Sequence, residues 1–241
     1  PVARCFDVEV EVITPSEAGP RWPLMRTDDL IGALWLPRDG RTNPIDTTLA
    51  LARGARQGGA TILENTAVTA VCVEHGRVAG VKTTAGDVTC EVVVNCAGMW
   101  AREIGRMAGV TVPLHASEHF YIVTEPMAGV KPDLPVLRDT DGYIYVREEV
   151  GGLLMGGFEP VAKPWGMEGI PADFAFSLLP EDWEHFQVLM EQGIHRIPGL
   201  ETAPVRRHVN GPESFTPDGR YLLGEAPECK GFYVAVGFNS I

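Results

Sequence analysis

Glu91-Val-Val-Val-Asn95-Cys-Ala-Gly98-Met-Trp100 is the stretch on which the fold reading turns. Residues 91–95 form a short continuous apolar run, the pattern of a strand buried on both faces. The run stops at Cys96-Ala97-Gly98, where small side chains let the backbone approach another group closely. A short helical pattern follows from Ala101 to Ala108. A buried strand that delivers a small-residue turn to a sheet's carboxyl edge is the arrangement by which α/β sheets receive dinucleotides. A turn used for packing alone has the same composition, so these residues leave both readings open.

Upstream, Asn43-Pro44 offers a side-chain acceptor followed by proline at a first helical position. Ile45, Leu49, Ala52 and Arg56 follow at helical spacing, and Gly58-Gly59 ends a helix of about 14 residues. Residues 61–95 change period. Thr61–Leu63, Ala67–Val73, Arg77–Thr83 and Asp87–Cys90 read as strands, punctuated by His75-Gly76 and Ala85-Gly86. Nearer the start, Val8, Val10 and Val12 alternate before Pro15 to Pro23 break the pattern. Gly32 to Pro37 reads as a short strand, and Asp39-Gly40 as a turn.

Downstream, residues 114–125, 143–147 and 153–158 read as a second set of strands, with a hairpin at Gly151-Gly152 and a loop from Pro160 to Pro171. Residues 181–197 place Trp183, Phe186, Leu189, Met190, Ile194 and Ile197 on one helical stripe expected to be core, with Glu181 and Asp182 at the positive end. Strands follow at 204–210 and from Gly231 onward, on either side of the turn Phe215-Thr-Pro-Asp-Gly219.

Composition bounds the function. Of 241 residues, 20 are basic and 32 acidic, a net charge of -12. Such a surface repels phosphate backbones and anionic headgroups, so neither nucleic acid nor membrane is an expected partner. No run of 18 apolar residues and no basic-then-apolar leader is present, so a cytoplasmic location is expected, or the mitochondrial matrix for a eukaryotic source. The five cysteines form no CxxC pair and are expected to be reduced, with Cys72, Cys90 and Cys96 acting as small hydrophobes. His115 and His119 lie in a strand-like run, about 13 Å apart at the rise of an extended chain, so no metal site is expected. Pro1 at the start and a strand-like run close to Ile241 suggest a piece of a longer polypeptide.

Several runs, in order, carry a family resemblance: Asp39-Gly-Arg-Thr-Asn-Pro44, Val93-Val-Asn-Cys-Ala-Gly-Met-Trp-Ala101, Glu118-His-Phe-Tyr-Ile-Val-Thr-Glu125, Val136-Leu-Arg-Asp-Thr-Asp-Gly-Tyr-Ile-Tyr-Val-Arg-Glu148, Leu154-Met-Gly-Gly-Phe-Glu159, Asn210-Gly-Pro-Glu-Ser-Phe-Thr-Pro-Asp-Gly219 and Gly231-Phe-Tyr-Val-Ala-Val-Gly237. Together they resemble the dimethylglycine and sarcosine dehydrogenase branch of the D-amino-acid-oxidase-like FAD oxidoreductases. The resemblance implies an α+β fold: a partial FAD-binding α/β layer with a β-meander, plus an antiparallel-sheet substrate domain. It implies a partial FAD-binding region over 1–110, a substrate domain over 111–218 containing the helix 181–197, and a return strand over 219–241. It further implies oxidation of the C–N bond of an N-methylated glycine, with FAD as the hydride acceptor. The family's GxGxxG motif is absent from this sequence. The chain alone is therefore expected not to retain FAD, and unpaired sheet edges at Val92–Asn95 and Tyr233–Val236 are expected to favour self-association.

The resemblance assigns roles residue by residue. His119 matches the histidine that faces the substrate amine, where a group titrating near neutrality can take a proton. Tyr145 matches a tyrosine whose hydroxyl meets the substrate or flavin edge, with Tyr143 as the alternative two residues away. Val68 matches the residue flanking the adenine, and Cys96, Ala97, Gly98 and Trp100 match a dinucleotide-contacting turn. Each has a plainer alternative: a hydrogen-bonded structural histidine, a core tyrosine, a strand valine, a packing turn. His115, Arg138 and Arg147 are alternatives for placing a substrate carboxylate and stand outside the candidate site. His115-Ala-Ser-Glu-His-Phe-Tyr121 and Glu181-Asp-Trp-Glu-His-Phe186 also resemble the regulatory subunit of pyruvate dehydrogenase phosphatase, a non-catalytic alternative. A glycerol-3-phosphate dehydrogenase-like oxidase is a third, disfavoured by the scarcity of lysine.

Overall fold

The computed structural model describes residues 2–238. Its elements in chain order are α1 (Val2–Cys5), β1 (Glu11–Ile13), α2 (Pro15–Arg21), β2 (Ala33–Trp35), α3 (Pro44–Gln57), β3 (Val68–Glu74), β4 (Arg77–Thr83), β5 (Gly86–Thr89), β6 (Val93–Asn95), α4 (Ala101–Met107), β7 (His115–Thr124), β8 (Leu137–Asp139), β9 (Ile144–Glu149), β10 (Gly152–Gly157), β11 (Pro164–Trp165), α5 (Trp183–Arg196), β12 (Val205–Phe215), β13 (Leu222–Glu225) and β14 (Phe232–Val236). The mixed α+β content, with antiparallel sheets, agrees with the fold class expected from the sequence. The chain divides into two compact units. The first comprises residues 1–49, 119–161 and 180–210, and the second comprises 50–118, 162–179 and 211–241. Asn239, Ser240 and Ile241, the end of the expected return strand, lie outside the described residues.

The first unit is built on an antiparallel sheet in the order β7-β10-β9-β8, with β12 also pairing β7. Two-residue periodicity gives this sheet unlike faces. On one face Phe120, Ile122, Ile144, Val146, Leu153 and Met155 are buried against Phe186 and Leu189 of α5. Asp182 caps that helix by accepting from the backbone N–H of His185 at 2.9 Å. At its other end Arg196 is buried and binds Asp139 at 2.7 Å and Asp29 at 2.8 Å, tying the helix to the start of the β8–β9 connection. Arg41 similarly donates to the buried Glu148, whose other oxygen accepts from the N–H of Gly151 in the β9–β10 hairpin at 2.9 Å.

The second unit holds the meander β3-β4-β5 and a three-stranded sheet, β13-β14-β6, in which β14 runs parallel to β6. Val71, Val78, Ala101, Val110, Val112, Phe232 and Val236 form its core, and α4 packs against β3 and β6. β11 pairs with Ala116 and Ser117 of β7.

Several expectations change. Pro15–Arg21 is helix, because proline is accommodated at a first helical turn and Glu17 accepts from the backbone N–H and hydroxyl of Thr14 at 2.8 Å. Thr61–Leu63 forms no strand and finds no ladder partner among the described residues. Trp183 is 45% exposed rather than core: it begins α5, and its indole N–H donates to Glu181 at 2.9 Å. β6 is covered on one face only. Asn95 is buried, while Val94 is 55% exposed, because no described residue covers that side. β14 lies between β13 and β6, so the Tyr233–Val236 edge is already paired. The spacing-predicted helix at Pro44–Gln57 is present, yet Ile45, Leu49 and Leu51 on it are exposed.

Two predictions follow from local chemistry. The β9–β10 turn places Val150 at φ 51 and Gly151 at φ 80, a left-handed pair that costs a β-branched side chain about 1–2 kcal/mol. Val150 is exposed, so Val150→Gly or Val150→Asn is expected to raise stability by about 1 kcal/mol in denaturant unfolding. His208 is buried beside Trp183 and Phe186, and among the described residues neither ring nitrogen has a hydrogen-bond partner. Burial pushes its pKa down, against the pull of Glu181 and Asp182. The unfolded chain therefore takes up the proton first, and stability is lost as pH falls below about 6.5. His208→Phe is expected to flatten that acid slope in melting experiments across pH 7 to 5.

Candidate active site

The other face of the first unit's sheet carries His119, Tyr121, Tyr145 and Arg147, with Leu154 and Val123 buried beside them. The β9–β10 register sets Tyr145 opposite Gly156, and β10–β7 sets Gly156 opposite Tyr121. His119 lies two residues before Tyr121, so strand alternation returns it to the same face. Its Nε2 and the Tyr145 hydroxyl are 3.0 Å apart, a hydrogen bond in which either can donate. Phe158, just past β10, packs beside both: its ring centre is 4.8 Å from that of His119 and 6.0 Å from that of Tyr145. Two of the sequence-selected residues, 26 positions apart, are thus brought into direct contact by strand pairing.

Tyr143 lies outside β9. It sits in the turn before β9 at φ 61, and its carbonyl accepts from the N–H of Phe158 at 2.8 Å. Arg147 does share the face with Tyr145, but Glu149 neutralises it. His115 belongs to the second unit, where its Nδ1 lies 2.9 Å from the Ala116 carbonyl oxygen.

Sequence reasoning missed Gly156. A Cβ there would fall 2.5 Å from the Tyr145 hydroxyl oxygen and 2.8 Å from the Phe120 carbonyl oxygen. At Gly157 a Cβ would lie 2.5 Å from Leu189 of α5, on the core side. The pair is pinched from both faces: Gly157 admits the helix and Gly156 admits the tyrosine. The signal was present in Met155-Gly-Gly-Phe158, since consecutive glycines inside a strand mark close approach.

The remaining sequence-selected residues lie in the second unit. Val68 opens β3 and is half-buried. Cys96, Ala97 and Gly98 follow β6, with Cys96 exposed rather than packed as a small hydrophobe. Asn95 braces this turn from below: its Oδ1 accepts from the N–H of Ala97 at 3.2 Å and its Nδ2 donates to the Ala101 carbonyl at 2.9 Å. Gly98 adopts φ 53, with no atom within 4 Å of where a Cβ would stand. Trp100 is 39% exposed at the entry to α4, so it is a partial rather than a complete anchor. α4 packs on β3, which brings the strand of Val68 and the helix after Trp100 into one layer. Among the described residues no hydrogen bond joins Val68 to the 96–100 turn.

Gly156→Ala is expected to displace the Tyr145 ring, break the bond to His119 and cost about 1–3 kcal/mol, as overpacking does. Denaturant unfolding together with the His119 ring resonances would measure both effects. The reverse outcome, unchanged stability with an intact hydrogen bond, would contradict the pinched geometry.

Several known proteins are similar to the chain. The chain is 45% identical to the mitochondrial sarcosine dehydrogenase of Homo sapiens over 99% of its length, and covers 26% of that protein. It is 41% identical to the mitochondrial pyruvate dehydrogenase phosphatase regulatory subunit of Mus musculus over 95% of its length, covering 26% of that protein. The chain thus spans about a quarter of these relatives. Among solved structures, the L-proline dehydrogenase of P. horikoshii matches with a TM-score of 0.82 at 28% identity, over 98% of this chain and 60% of that one. Residues 2–240 match the FAD dependent oxidoreductase family, and the chain belongs to that family.

Proposed function

We propose that the full-length protein oxidises the C–N bond of a small N-methylated amino acid, an N-methylglycine such as sarcosine or dimethylglycine, with FAD as the cofactor. The observation that supports this most is the 3.0 Å hydrogen bond between His119 Nε2 and the Tyr145 hydroxyl on the polar face of the sheet. The reading assigns flavin contacts to Val68, Cys96, Ala97, Gly98 and Trp100 within a flavin-binding part over 1–110. It assigns substrate contacts to a part over 111–218, with 219–241 returning to the flavin part.

The turn at Cys96–Gly98 fits such a cofactor in chemistry. Ala97 adds only a methyl and Gly98 none, the space over Gly98 is open, and Asn95 holds the turn rigid from its buried side. A flat dinucleotide needs bare, preorganised backbone of this kind. FAD, when bound, supplies the acceptor for the hydride leaving the carbon next to nitrogen. Everything else falls to side chains of this chain. The amine must lose its proton before its lone pair can assist that departure, and an amino acid near neutral pH carries an ammonium. His119 and Tyr145 share one hydrogen bond, so the pair can take up one proton. His119 Nε2 accepts the proton from the ammonium, and the Tyr145 hydroxyl, its hydrogen-bond partner, holds the ring in place for it. Phe158 walls the pair on one side and limits access of water. The open edge of β6 is where self-association would occur, which light scattering can follow.

His119→Ala is expected to lower the rate of flavin reduction roughly 10²–10⁴-fold, the range for acid–base assistance. Tyr145→Phe is expected to cost about tenfold, the worth of one hydrogen bond. Both should retain flavin. The wild-type rate should rise with pH through an ionisation that His119→Ala shifts or abolishes. Stopped-flow reduction of the full-length protein is the measurement. A wild-type protein that no N-methylated amino acid reduces would instead favour a regulatory role, as in the relative from Mus musculus.

A further inference from the structure

Two pairs of adjacent residues straddle the sheet at the candidate site. His119 and Phe120 are neighbours on β7, and Phe158 and Glu159 are neighbours just past β10. Alternation sends His119 and Phe158 to one face, where their ring centres are 4.8 Å apart. Phe120 and Glu159 go to the other face, and both meet the same side chain, His185 of α5. The His185 ring centre is 5.2 Å from that of Phe120, and its Nε2 donates to Glu159 Oε1 at 3.0 Å. The Glu159 side chain is 5% exposed, against 24% for His185. A carboxylate so far from water persists only where a partner meets it. His185 is fixed in turn, because it lies in the first turn of α5 and its backbone N–H donates to Asp182 at 2.9 Å.

The chain that this bond restrains is the segment carrying Phe158. Gly156 and Gly157 come immediately before it, and glycine has more backbone freedom to lose than any other residue. The N–H of Phe158 donates to the Tyr143 carbonyl at 2.8 Å, which ties the backbone to the turn before β9. Glu159, one residue on, ties it to the helix behind. We propose that Glu159 and His185 are positioning residues for the amine-oxidising site: from behind the sheet they hold Phe158 against His119, and so keep the His119 ring aimed at Tyr145 and the substrate amine. This rests on the amine-oxidising reading of the opposite face. Neither residue reaches that face. Their effect passes through the Phe158 ring, which limits how far His119 can turn and how far water reaches it. A displacement of about 1 Å at a catalytic group costs roughly 10²-fold in rate even when the altered residue is remote from the chemistry.

The test uses the full-length flavoprotein, wild type and with Glu159→Ala, Glu159→Gln, Glu184→Gln, Phe158→Ala and the double variant Glu159→Ala/Phe158→Ala. Stopped-flow reduction by N-methylglycine gives the limiting rate and the half-saturating concentration separately. Glu159→Ala is expected to retain flavin and to lower the limiting rate about 10- to 100-fold, with the half-saturating concentration little changed. Glu159→Gln keeps an oxygen that accepts from His185 and should stay within about threefold of wild type. Glu184→Gln, exposed on the same helical turn, should behave as wild type. Phe158→Ala should be at least as slow as Glu159→Ala, and adding Glu159→Ala to it should slow it no further, because the two residues act through one contact. A role in stability alone would lower the melting temperature and leave the limiting rate of the folded, flavin-loaded variants unchanged. A wild-type limiting rate in Glu159→Ala, or effects that multiply in the double variant, would overturn the positioning role, while reduction of wild type by N-methylglycine leaves the amine-oxidising reading standing. A wild-type protein that no N-methylated amino acid reduces would overturn both. Should Glu159→Ala not fold, Glu159→Gln combined with His185→Ala leaves no buried charge unpaired and takes its place: a lower limiting rate that disappears in the Phe158→Ala background supports the proposal, and a wild-type rate overturns it.

Discussion

The Gly156–Gly157 step of β10 is the constraint on which the first unit depends. Strand geometry sends successive side chains to opposite faces, so two consecutive glycines thin the sheet on both sides at one point. On the core side that thinning lets Leu189 of α5 press against the sheet. On the outer side it lets the Tyr145 ring lie flat enough for its hydroxyl to meet His119. Packing of the core and geometry of the site are therefore two consequences of one local absence of volume. Interiors packed at crystal density transmit such a change directly, because no slack exists to absorb it.

Electrostatics divides the same sheet in another way. Charged groups on the core side are satisfied within the fold, as Arg196 is by Asp29 and Asp139 and as Glu148 is by Arg41 and the hairpin backbone. The arginine beside Asp29, with the hydrogen bond from His195, holds that carboxyl well below the usual carboxylate range. Buried charge without such partners would be too costly to keep. The outer face is under no such demand, and there an arginine stands with an aromatic ring as its neighbour.

The second unit shows a different economy. Its turn after β6 is stiffened entirely from the buried side, by one asparagine that serves the N–H of Ala97 and the carbonyl of Ala101. The outward side of that turn stays small, open and left-handed at Gly98. Asn95 was visible in the sequence as the polar end of an apolar strand, but its two-sided bond could not be read there.

Local pattern by itself determined most elements: the 14-residue helix behind Asn43-Pro44, the meander, the long strand through His119, the hairpin at Gly151 and the capped helix after Asp182. These rest on periodicity, caps and turn chemistry, which act over a few residues. His119 and Tyr145 were legible as candidates through resemblance, but their meeting was not. The tertiary structure alone decided that Tyr145 meets His119, that Arg147 pairs with Glu149 while Arg138 lies over the Phe158 ring, and that Trp183 is half in solvent. Each of those outcomes depends on strand register or on which face a neighbour covers. A shift of one residue in register reverses every side chain's face, and register is set by pairings between segments far apart in the chain.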